Sequence, residues 1–191
     1  MNLLLTIKEY ISSIDSKKRI ELLRHYVNPK PNDVILDIGG NTGKISEAAY
    51  SCNGCNQIVV LEPKSKYVEY GRFHRPFIRF IEGCVESIPL PDESVDTVVA
   101  SFSFHHFRDH DKGLEEMKRV LKSGNGRLII FESNPLTTRG KTLMFIENLF
   151  HTDAKFYDSD QLKEKLAQEH NLKVISIIFV SIGYFLIAFK E

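Results

Sequence analysis

The chain has 191 residues, of which 42% are apolar and 26% are charged, as in an ordinary globular protein. Its 25 basic residues balance its 25 acidic residues, so its overall charge gives no reason to expect a nucleic acid or an anionic membrane as partner. The length fits one domain with a core of its own, and we predict a single domain over residues 1–191.

Two amphipathic stretches open the chain, and we predict helices over 3–14 and 16–27, with Asp15 or Ser16 as N-cap of the second. Residues 1–29 are then a helical cover on a core of 30–191. The basic group at 17–19 is predicted to be solvated. Because the N-terminus lacks the basic region that precedes the apolar run of a signal peptide, we predict a cytoplasmic protein.

The central part of the chain alternates between apolar runs and amphipathic stretches. The predicted strands are 33–38, 57–62, 77–82, 95–101 and 127–132, and the predicted helices between them are 43–51, 64–73 and 109–121. Strands that alternate with helices of this length form crossover units, which build a mainly parallel sheet. The fold class is therefore α/β.

The C-terminal part has a different order of elements. Residues 140–150 and 159–170 are predicted helices, the second capped by Asp158 or Ser159. Residues 174–189 are apolar but too short for a spanning helix, and they are rich in β-branched and aromatic residues. We predict two buried strands joined by a tight turn, which add an antiparallel hairpin to the sheet, and no membrane span.

The chain has three cysteines, of which Cys52 and Cys55 form a single CxxC pair. A structural zinc site usually has four ligands, and an odd number of cysteines argues against a disulfide framework. We predict an ordinary loop and no metal site, with a zinc site and a redox pair as the less favoured alternatives.

The sequence VILDIGGNTG contains the clearest motif, a buried strand that ends in a carboxylate and continues into a glycine-rich loop. In open α/β sheets the ligand binds outside the carboxyl ends of the strands, where this loop lies. The phosphate-loop pattern is absent, and the dinucleotide fingerprint fails because Asn41 and Lys44 stand where it needs glycine. The remaining pattern, acid-x-Gly-x-x-x-Gly, suits an adenosine that carries an amino-acid tail.

A second carboxylate, Glu62, ends the next predicted strand. At that position its two oxygens can accept hydrogen bonds from both hydroxyls of a ribose. Enzymes that bind NAD use the same contact, so Glu62 alone does not decide between the cofactors.

Four segments in order, VILDIGGNTG, VVLEP, IEGCVESIPLPDESVDTVVASFSFHHF and LEEMKRVLKSGNGRLIIFE, resemble the successive motifs of class I S-adenosylmethionine-dependent methyltransferases. They are most similar to the type 11 branch, which includes the ubiquinone/menaquinone methyltransferase-like proteins. The resemblance covers residues 30–133. It implies a Rossmann-like three-layer sandwich with a mainly parallel seven-stranded sheet and a C-terminal antiparallel hairpin, S-adenosylmethionine as cofactor and S-adenosylhomocysteine as product.

The resemblance also implies which residues bind the cofactor. Asp37 orders the loop and holds the methionine amino group, and Glu62 holds the ribose. Cys84, Val85 and Glu86 flank the adenine, whose edge is contacted by the backbone amide of Val85 and the side chain at 84. Ser101 and Phe102 line the cofactor under its methyl group. The whole implied set is Asp37, Gly39, Gly40, Asn41, Gly43, Glu62, Cys84, Val85, Glu86, Ser101 and Phe102.

Two residues of this set depart from the family pattern. Asn41 replaces the usual central glycine, although asparagine tolerates a left-handed backbone better than most residues. Cys84 replaces the usual acid, so a contact to the adenine amino group is lost or moves to Glu86. A degenerate cofactor site in a non-catalytic relative therefore stays open as an alternative.

Methyl transfer from a sulfonium is an in-line displacement, in which the protein mainly aligns the reactants. If the acceptor must lose a proton, His105 and His106 are the candidate general bases, with a role as pocket wall as the alternative. The segment 133–160 is predicted to face the acceptor, because it carries several aromatic and basic residues. They are Arg139, Lys141, Phe145, Phe150, Phe156 and Tyr157. The alternative is that the aromatic residues only pack on the sheet.

We predict a small-molecule acceptor, because the chain carries no added substrate domain and no net charge. A methyltransferase acting on RNA or protein, a non-catalytic cofactor-binding relative and a nicotinamide enzyme are the alternatives. The sequence does not indicate the oligomeric state.

Overall fold

A computed structural model of the chain describes residues 16–52, 54, 55, 57–150, 154–181 and 183–191. The predicted helix over 3–14 lies outside these residues. The described chain opens in helix α1 over residues 16–27, as predicted.

The sheet has seven strands in the order β3-β2-β1-β4-β5-β7-β6. The five strands β1 to β5 pair in parallel, and β7 runs antiparallel to both β5 and β6. Their bounds are β1 Val34–Ile38, β2 Gln57–Glu62, β3 Arg79–Glu82, β4 Thr97–Ser101, β5 Arg127–Glu132, β6 Lys173–Val180 and β7 Gly183–Phe189. This architecture confirms the predicted mainly parallel seven-stranded sheet with its C-terminal hairpin.

The helices follow the strands as crossover connections, and short 3-10 turns occur at Val85–Ser87 and Phe104–His106. Of the two predicted caps of the last helix, the N-cap is Asp158, whose side chain accepts from the amide of Gln161 in a capping box. The bounds are α2 Lys44–Tyr50, α3 Ser65–His74, α4 His110–Val120, α5 Thr138–Phe150 and α6 Ser159–Glu164, which continues into a π-helical turn to Glu169.

Two apolar clusters fill the spaces on the two faces of the sheet. One packs α4 and α6 on the sheet through residues such as Leu114 and Leu162. The other packs α1 and α2 through residues such as Leu23 and Ala49. Successive strand residues point to opposite faces, which is why fully apolar strands such as β1 are buried on both sides.

The carboxyl ends of β1, β2 and β4 coincide in register, which positions the site. Ile38 at the end of β1 pairs with Leu61 of β2 and with Ala100 of β4. The residues that follow these positions therefore meet along one edge of the sheet.

Some of the predicted elements differ from the structure. β3 and β4 start two residues later than predicted, and Phe77 ahead of β3 is exposed. The hairpin prediction is right for β7, which is largely buried, and wrong for the burial of β6. β6 is the edge strand of the sheet, so nothing in the described chain pairs with its outer side. Among the described residues, no helix has the length and apolar character needed to cross a membrane.

Candidate functional site at the carboxyl edge of the sheet

The loop between β1 and α2 passes through three residues with left-handed backbone, Gly39, Asn41 and Gly43, with φ angles of 71°, 51° and 75°. A Cβ atom on Gly39 would lie 2.8 Å from Cβ of Ser103, and one on Gly43 would lie 2.6 Å from the ring of Phe80. Both positions therefore need glycine for their conformation and for the close packing of the loop on the neighbouring chain.

Asn41 adopts the left-handed conformation that its residue type tolerates. Its side-chain amide donates to the carbonyl of Gly39 at 3.1 Å, which turns the side chain back onto the loop. The replacement of glycine is thus accommodated by a hydrogen bond within the loop itself.

Glu62 at the end of β2 is buried, and both of its carboxylate oxygens accept backbone hydrogen bonds. Oε2 accepts from the amide of Asn41 and Oε1 accepts from the amide of Lys64, each at 3.1 Å. These two contacts fix the plane of the carboxylate and connect β2 to the glycine loop.

Asp37 in β1 is also buried, and its Oδ2 accepts a hydrogen bond from Oγ of Ser46 in α2 at 2.6 Å. Desolvation raises its pKa to about 6, although the Ser46 hydrogen bond and the charge of Arg19 act in the opposite direction. The carboxyl group thus joins the end of β1 to the helix that follows the loop.

Arg19 of α1 reaches the end of β4. Its Nε donates to Oγ of Ser101 at 2.9 Å, and its Nη2 donates to the carbonyl of Ser101 at 2.7 Å. The guanidinium also lies 5.3 Å from the centre of the Phe102 ring. Phe102 itself has a left-handed backbone, with φ of 51°.

The prediction that the basic group at 17–19 is solvated is wrong for Arg19, which contributes to the site. The signal was present, because Arg19 is spaced four and eight residues from the buried Leu23 and Val27 and therefore lies on the apolar face of the helix.

The residues after β3 form the turn Val85–Ser87, in which Val85 is buried and the preceding Cys84 is exposed. Glu86 contacts the loop that follows β4, because its Oε1 accepts from the amides of Arg108 and Asp109. Glu86 therefore has a defined structural role in this part of the protein.

His105 lies in the turn after β4, where its side chain is 4% exposed. Its Nδ1 lies 2.9 Å from both carboxylate oxygens of Glu132, and its ring stacks on Phe156 with centroids 4.4 Å apart. His106 is more exposed, and its Nε2 is 4.0 Å from Oε2 of Glu147 in α5.

Sequence reasoning missed Glu132 and Glu147. Glu132 ends β5 as Glu62 ends β2, so the same argument from strand ends would have identified it. Glu147 carries no such signal, since it is one of several polar residues on a predicted helix.

Within the segment 133–160, Glu147, Lys155 and Phe156 contact the two histidines. The amide of Lys155 donates to the carbonyl of His105 at 3.0 Å, next to the stacked ring of Phe156. Phe145 is 64% exposed and does not pack on the sheet. The side chain of Phe150 lies outside the described residues.

The two residues of the CxxC pair bond to nearby backbone carbonyls. Sγ of Cys52 donates to the carbonyl of Ala49, and Sγ of Cys55 donates to that of Asp33. Burial raises the pKa of the Cys55 thiol.

Residues 36–130 match the model of the methyltransferase domain family that corresponds to type 11 methyltransferases. The chain belongs to the class I S-adenosylmethionine-dependent methyltransferases, in the type 11 branch. This result confirms the resemblance of the sequence motifs, and it supports S-adenosylmethionine as the cofactor.

One curated relative is the ubiquinone/menaquinone biosynthesis C-methyltransferase of Hahella chejuensis, which is 30% identical over 116 residues. The aligned part covers 55% of this chain and 46% of the relative. The demethylmenaquinone methyltransferase of Thermotoga maritima is 32% identical over 123 residues, which cover 64% of this chain and 52% of the relative. The chain therefore spans about half the length of the curated relatives it matches.

Among solved structures, a methyltransferase in complex with the Trm112 methyltransferase activator of Haloferax volcanii superposes with a TM-score of 0.82 and 14% identity. The superposition covers 98% of this chain and 96% of the other. This similarity confirms the fold.

Because the raised pKa of Asp37 arises from burial, it changes the free energy of unfolding with pH. Between the unfolded value near 3.8 and the folded value of about 6, the unfolded state is ionised while the folded state keeps its proton. The contribution of Asp37 to stability therefore falls as pH rises through this window and is constant above it. At pH 7 the loss relative to pH 3 is about 3 kcal/mol.

Urea unfolding of wild type and Asp37→Asn between pH 4 and 7 measures this contribution. We expect the stability of the variant relative to wild type to increase up to about pH 6 and then to level off. Ser46→Ala keeps the acid but loses the hydrogen bond, so its window extends to higher pH. A difference between Asp37→Asn and wild type that does not change with pH would contradict this assignment.

Proposed function

We propose that this chain transfers a methyl group from S-adenosylmethionine to a small-molecule acceptor by in-line displacement. The observation that carries the proposal is the meeting of Asp37, Glu62 and Ser101 at the carboxyl edge of three adjacent strands, around a loop with left-handed glycines. Together with Arg19, which bonds to Ser101, these groups fit the parts of the cofactor: Asp37 fits the ammonium, Glu62 the ribose diol and Arg19 the carboxylate.

For the adenosine part, the Glu62 carboxylate accepts from the ribose hydroxyls, and its orientation is already fixed by two backbone amides. Val85 supplies the apolar contact for the adenine, with Cys84 and Glu86 beside it. The backbone of Gly39, Gly40, Asn41 and Gly43 borders the ribose.

For the methionine part, Asp37 attracts the amino group and Arg19 binds the carboxylate. The two side chains have opposite charges and interact electrostatically in the structure, as the charge of Arg19 lowers the pKa of Asp37. A zwitterionic tail therefore finds a partner of opposite sign for each of its ends. Ser101 and Phe102 lie under the methyl group.

When bound, S-adenosylmethionine supplies a methyl group that is already activated as a sulfonium. The protein orients the acceptor and excludes water around it, contributions that are worth about 7–11 kcal/mol in well-aligned reactions. We propose that α1 and the segment 133–160 cover the acceptor, and that His105 and His106 activate it. The positions of Phe156 and Lys155 against His105 support this role for the segment.

The names of the curated relatives support a small-molecule acceptor, because one names ubiquinone and menaquinone biosynthesis and the other names demethylmenaquinone. The neutral charge of the chain disfavours RNA as acceptor. The cytoplasm stays the predicted location, and the single-domain organisation of residues 1–191 stays a prediction. A non-catalytic relative is distinguished by failure to bind S-adenosylhomocysteine.

Calorimetric titration with S-adenosylhomocysteine tests the cofactor site, with NAD as a second ligand. We expect wild type to bind S-adenosylhomocysteine but not NAD, and Glu62→Gln to bind it about 10–100-fold more weakly, because two charged hydrogen bonds are lost. The matched control is Glu82→Gln, since Glu82 pairs with Glu62 in register but bonds to Ser65. The proposal is wrong if folded wild type does not bind, or if Glu62→Gln binds as wild type does.

The role of Arg19 is tested by two ligands that differ only in the methionine tail. We expect Arg19→Ala to weaken S-adenosylhomocysteine about 10–100-fold and to leave the affinity for 5′-methylthioadenosine, which has no carboxylate, unchanged. Lys18→Ala, at the exposed neighbouring position, is the control. An equal loss for both ligands would mean that Arg19 supports the fold of the site and does not bind the tail.

A further inference from the structure

Three side chains with metal-ligating atoms converge beside the cofactor site. His105 and His106 lie in the turn Phe104–His106 after β4, and Glu147 lies in α5. Each offers one ligand atom, and these three atoms lie within 4.8 Å of one another. The side chains of His105 and Glu147 are 4% and 7% exposed, and that of His106 is 39% exposed, so the cluster is open on one side.

The second observation concerns the free nitrogen of His105. Because Nδ1 is 2.9 Å from both oxygens of Glu132, it carries the proton and donates to that carboxylate. The other ring nitrogen, Nε2, is buried with no hydrogen-bond partner among the residues that the structure describes. A buried polar nitrogen without a partner is costly in a native protein and points to a missing ligand.

A histidine that donates one ring nitrogen to a carboxylate and offers the other is the usual arrangement of a metal-ligating histidine. The carboxylate fixes the tautomer and the ring orientation, and the stacked Phe156 restrains the ring further. Two imidazoles and one carboxylate form a ligand set that suits Zn²⁺, Fe²⁺ or Co²⁺ and leaves coordination positions open.

We propose that His105, His106 and Glu147 bind a divalent transition-metal ion, with Glu132 as the residue that orients His105. Ligand atoms around such an ion are about 3–3.5 Å apart at bond lengths near 2.1 Å. Binding therefore draws the three groups together by about 1 Å, which the exposed side chain of His106 permits.

The metal site itself does not depend on the proposed function, but its role in methyl transfer rests on that function. The proposed ion site is formed in part by the turn that follows Ser101 and Phe102 in the chain, the two residues that the proposed function places under the methyl group. Its open positions suit an acceptor that presents a hydroxyl or enol oxygen. Coordination lowers the pKa of such an oxygen, so its proton leaves to water before the reaction.

The transfer then balances without a further reactant. The oxygen, or the carbon conjugated with it in an enolate, forms the bond to the methyl carbon. The bond between the methyl carbon and the sulfonium sulfur breaks, and its electron pair stays on the sulfur, which becomes a neutral thioether. In this reading His105 and His106 activate the acceptor as metal ligands and not as general bases.

A second cluster provides a matched control. Asp111, Glu169 and His170 also lie within ligand distance of one another. There, however, Nζ of Lys165 bonds to both carboxylates, and Nε2 of His170 is 2.9 Å from Oδ1 of Asp111. Because a lysine ammonium and an imidazole already occupy the carboxylate oxygens, we expect this cluster to bind no metal ion.

Equilibrium dialysis of the full chain against Co²⁺, with metal analysis and the visible absorption of bound Co²⁺, tests the site. A Cys84→Ser background removes the exposed thiol as a competing ligand. We expect one equivalent of Co²⁺ in this background and with His170→Ala added, and at least 100-fold weaker binding with His106→Ala or Glu147→Gln. Glu132→Gln should weaken binding about 10–100-fold and alter the absorption spectrum.

The inference is overturned if the folded chain binds no stoichiometric Co²⁺, or if Glu147→Gln and His106→Ala bind it as well as wild type. Loss of binding in His170→Ala would move the site to the second cluster and overturn it equally. S-adenosylhomocysteine titrations of the wild-type chain, which keeps Cys84, hold the two proposals apart. Metal binding without cofactor binding would contradict the proposed function alone, and cofactor binding without metal binding would contradict the metal site alone.

Discussion

The hydrogen bond from the amide of Asn41 to the carboxylate of Glu62 is the contact on which the candidate site depends. It joins the end of β2 to the glycine loop that follows β1, and so it fixes a carboxylate and a set of backbone amides relative to each other. The loop can reach this position only because Gly39 and Gly43 carry no side chains against Ser103 and Phe80. The geometry is thus set by close packing within the protein, before any ligand is present.

Other carboxylates near the ends of strands also accept hydrogen bonds from the loops of the site. Glu132, at the end of β5, accepts from the ring and the amide of His105, and Glu86 accepts from two amides of the loop after β4. Carboxylates at or near strand ends thus hold successive loops in place. Glu62 directs its carboxylate toward the proposed cofactor site, and Glu132 orients the imidazole of His105, so the proposed cofactor and acceptor sites use the same kind of contact.

The sequence was sufficient for the order of the elements, the parallel sheet and the position of the loop, because these depend on local periodicity and on glycine spacing. It did not indicate that β6 is partly exposed, since the position of a strand at the edge of a sheet depends on topology and not on the hydrophobicity of the strand. It also failed for Arg19 and Glu147, whose roles arise from contacts with residues 82 and 41 positions away. Charged residues on a helix are mostly solvated. The spacing of Arg19 from Leu23 and Val27 places it on the apolar face of α1, but its partner Ser101 follows only from the packing of that helix.

The most direct test of the account is a crystal structure of the full chain with S-adenosylhomocysteine. The account predicts both ribose hydroxyls within hydrogen-bond distance of Glu62, the adenine against Val85, and the methionine carboxylate on the guanidinium of Arg19. A ligand bound elsewhere, or one whose ribose does not contact Glu62, would contradict the central claim that this edge of the sheet is the cofactor site.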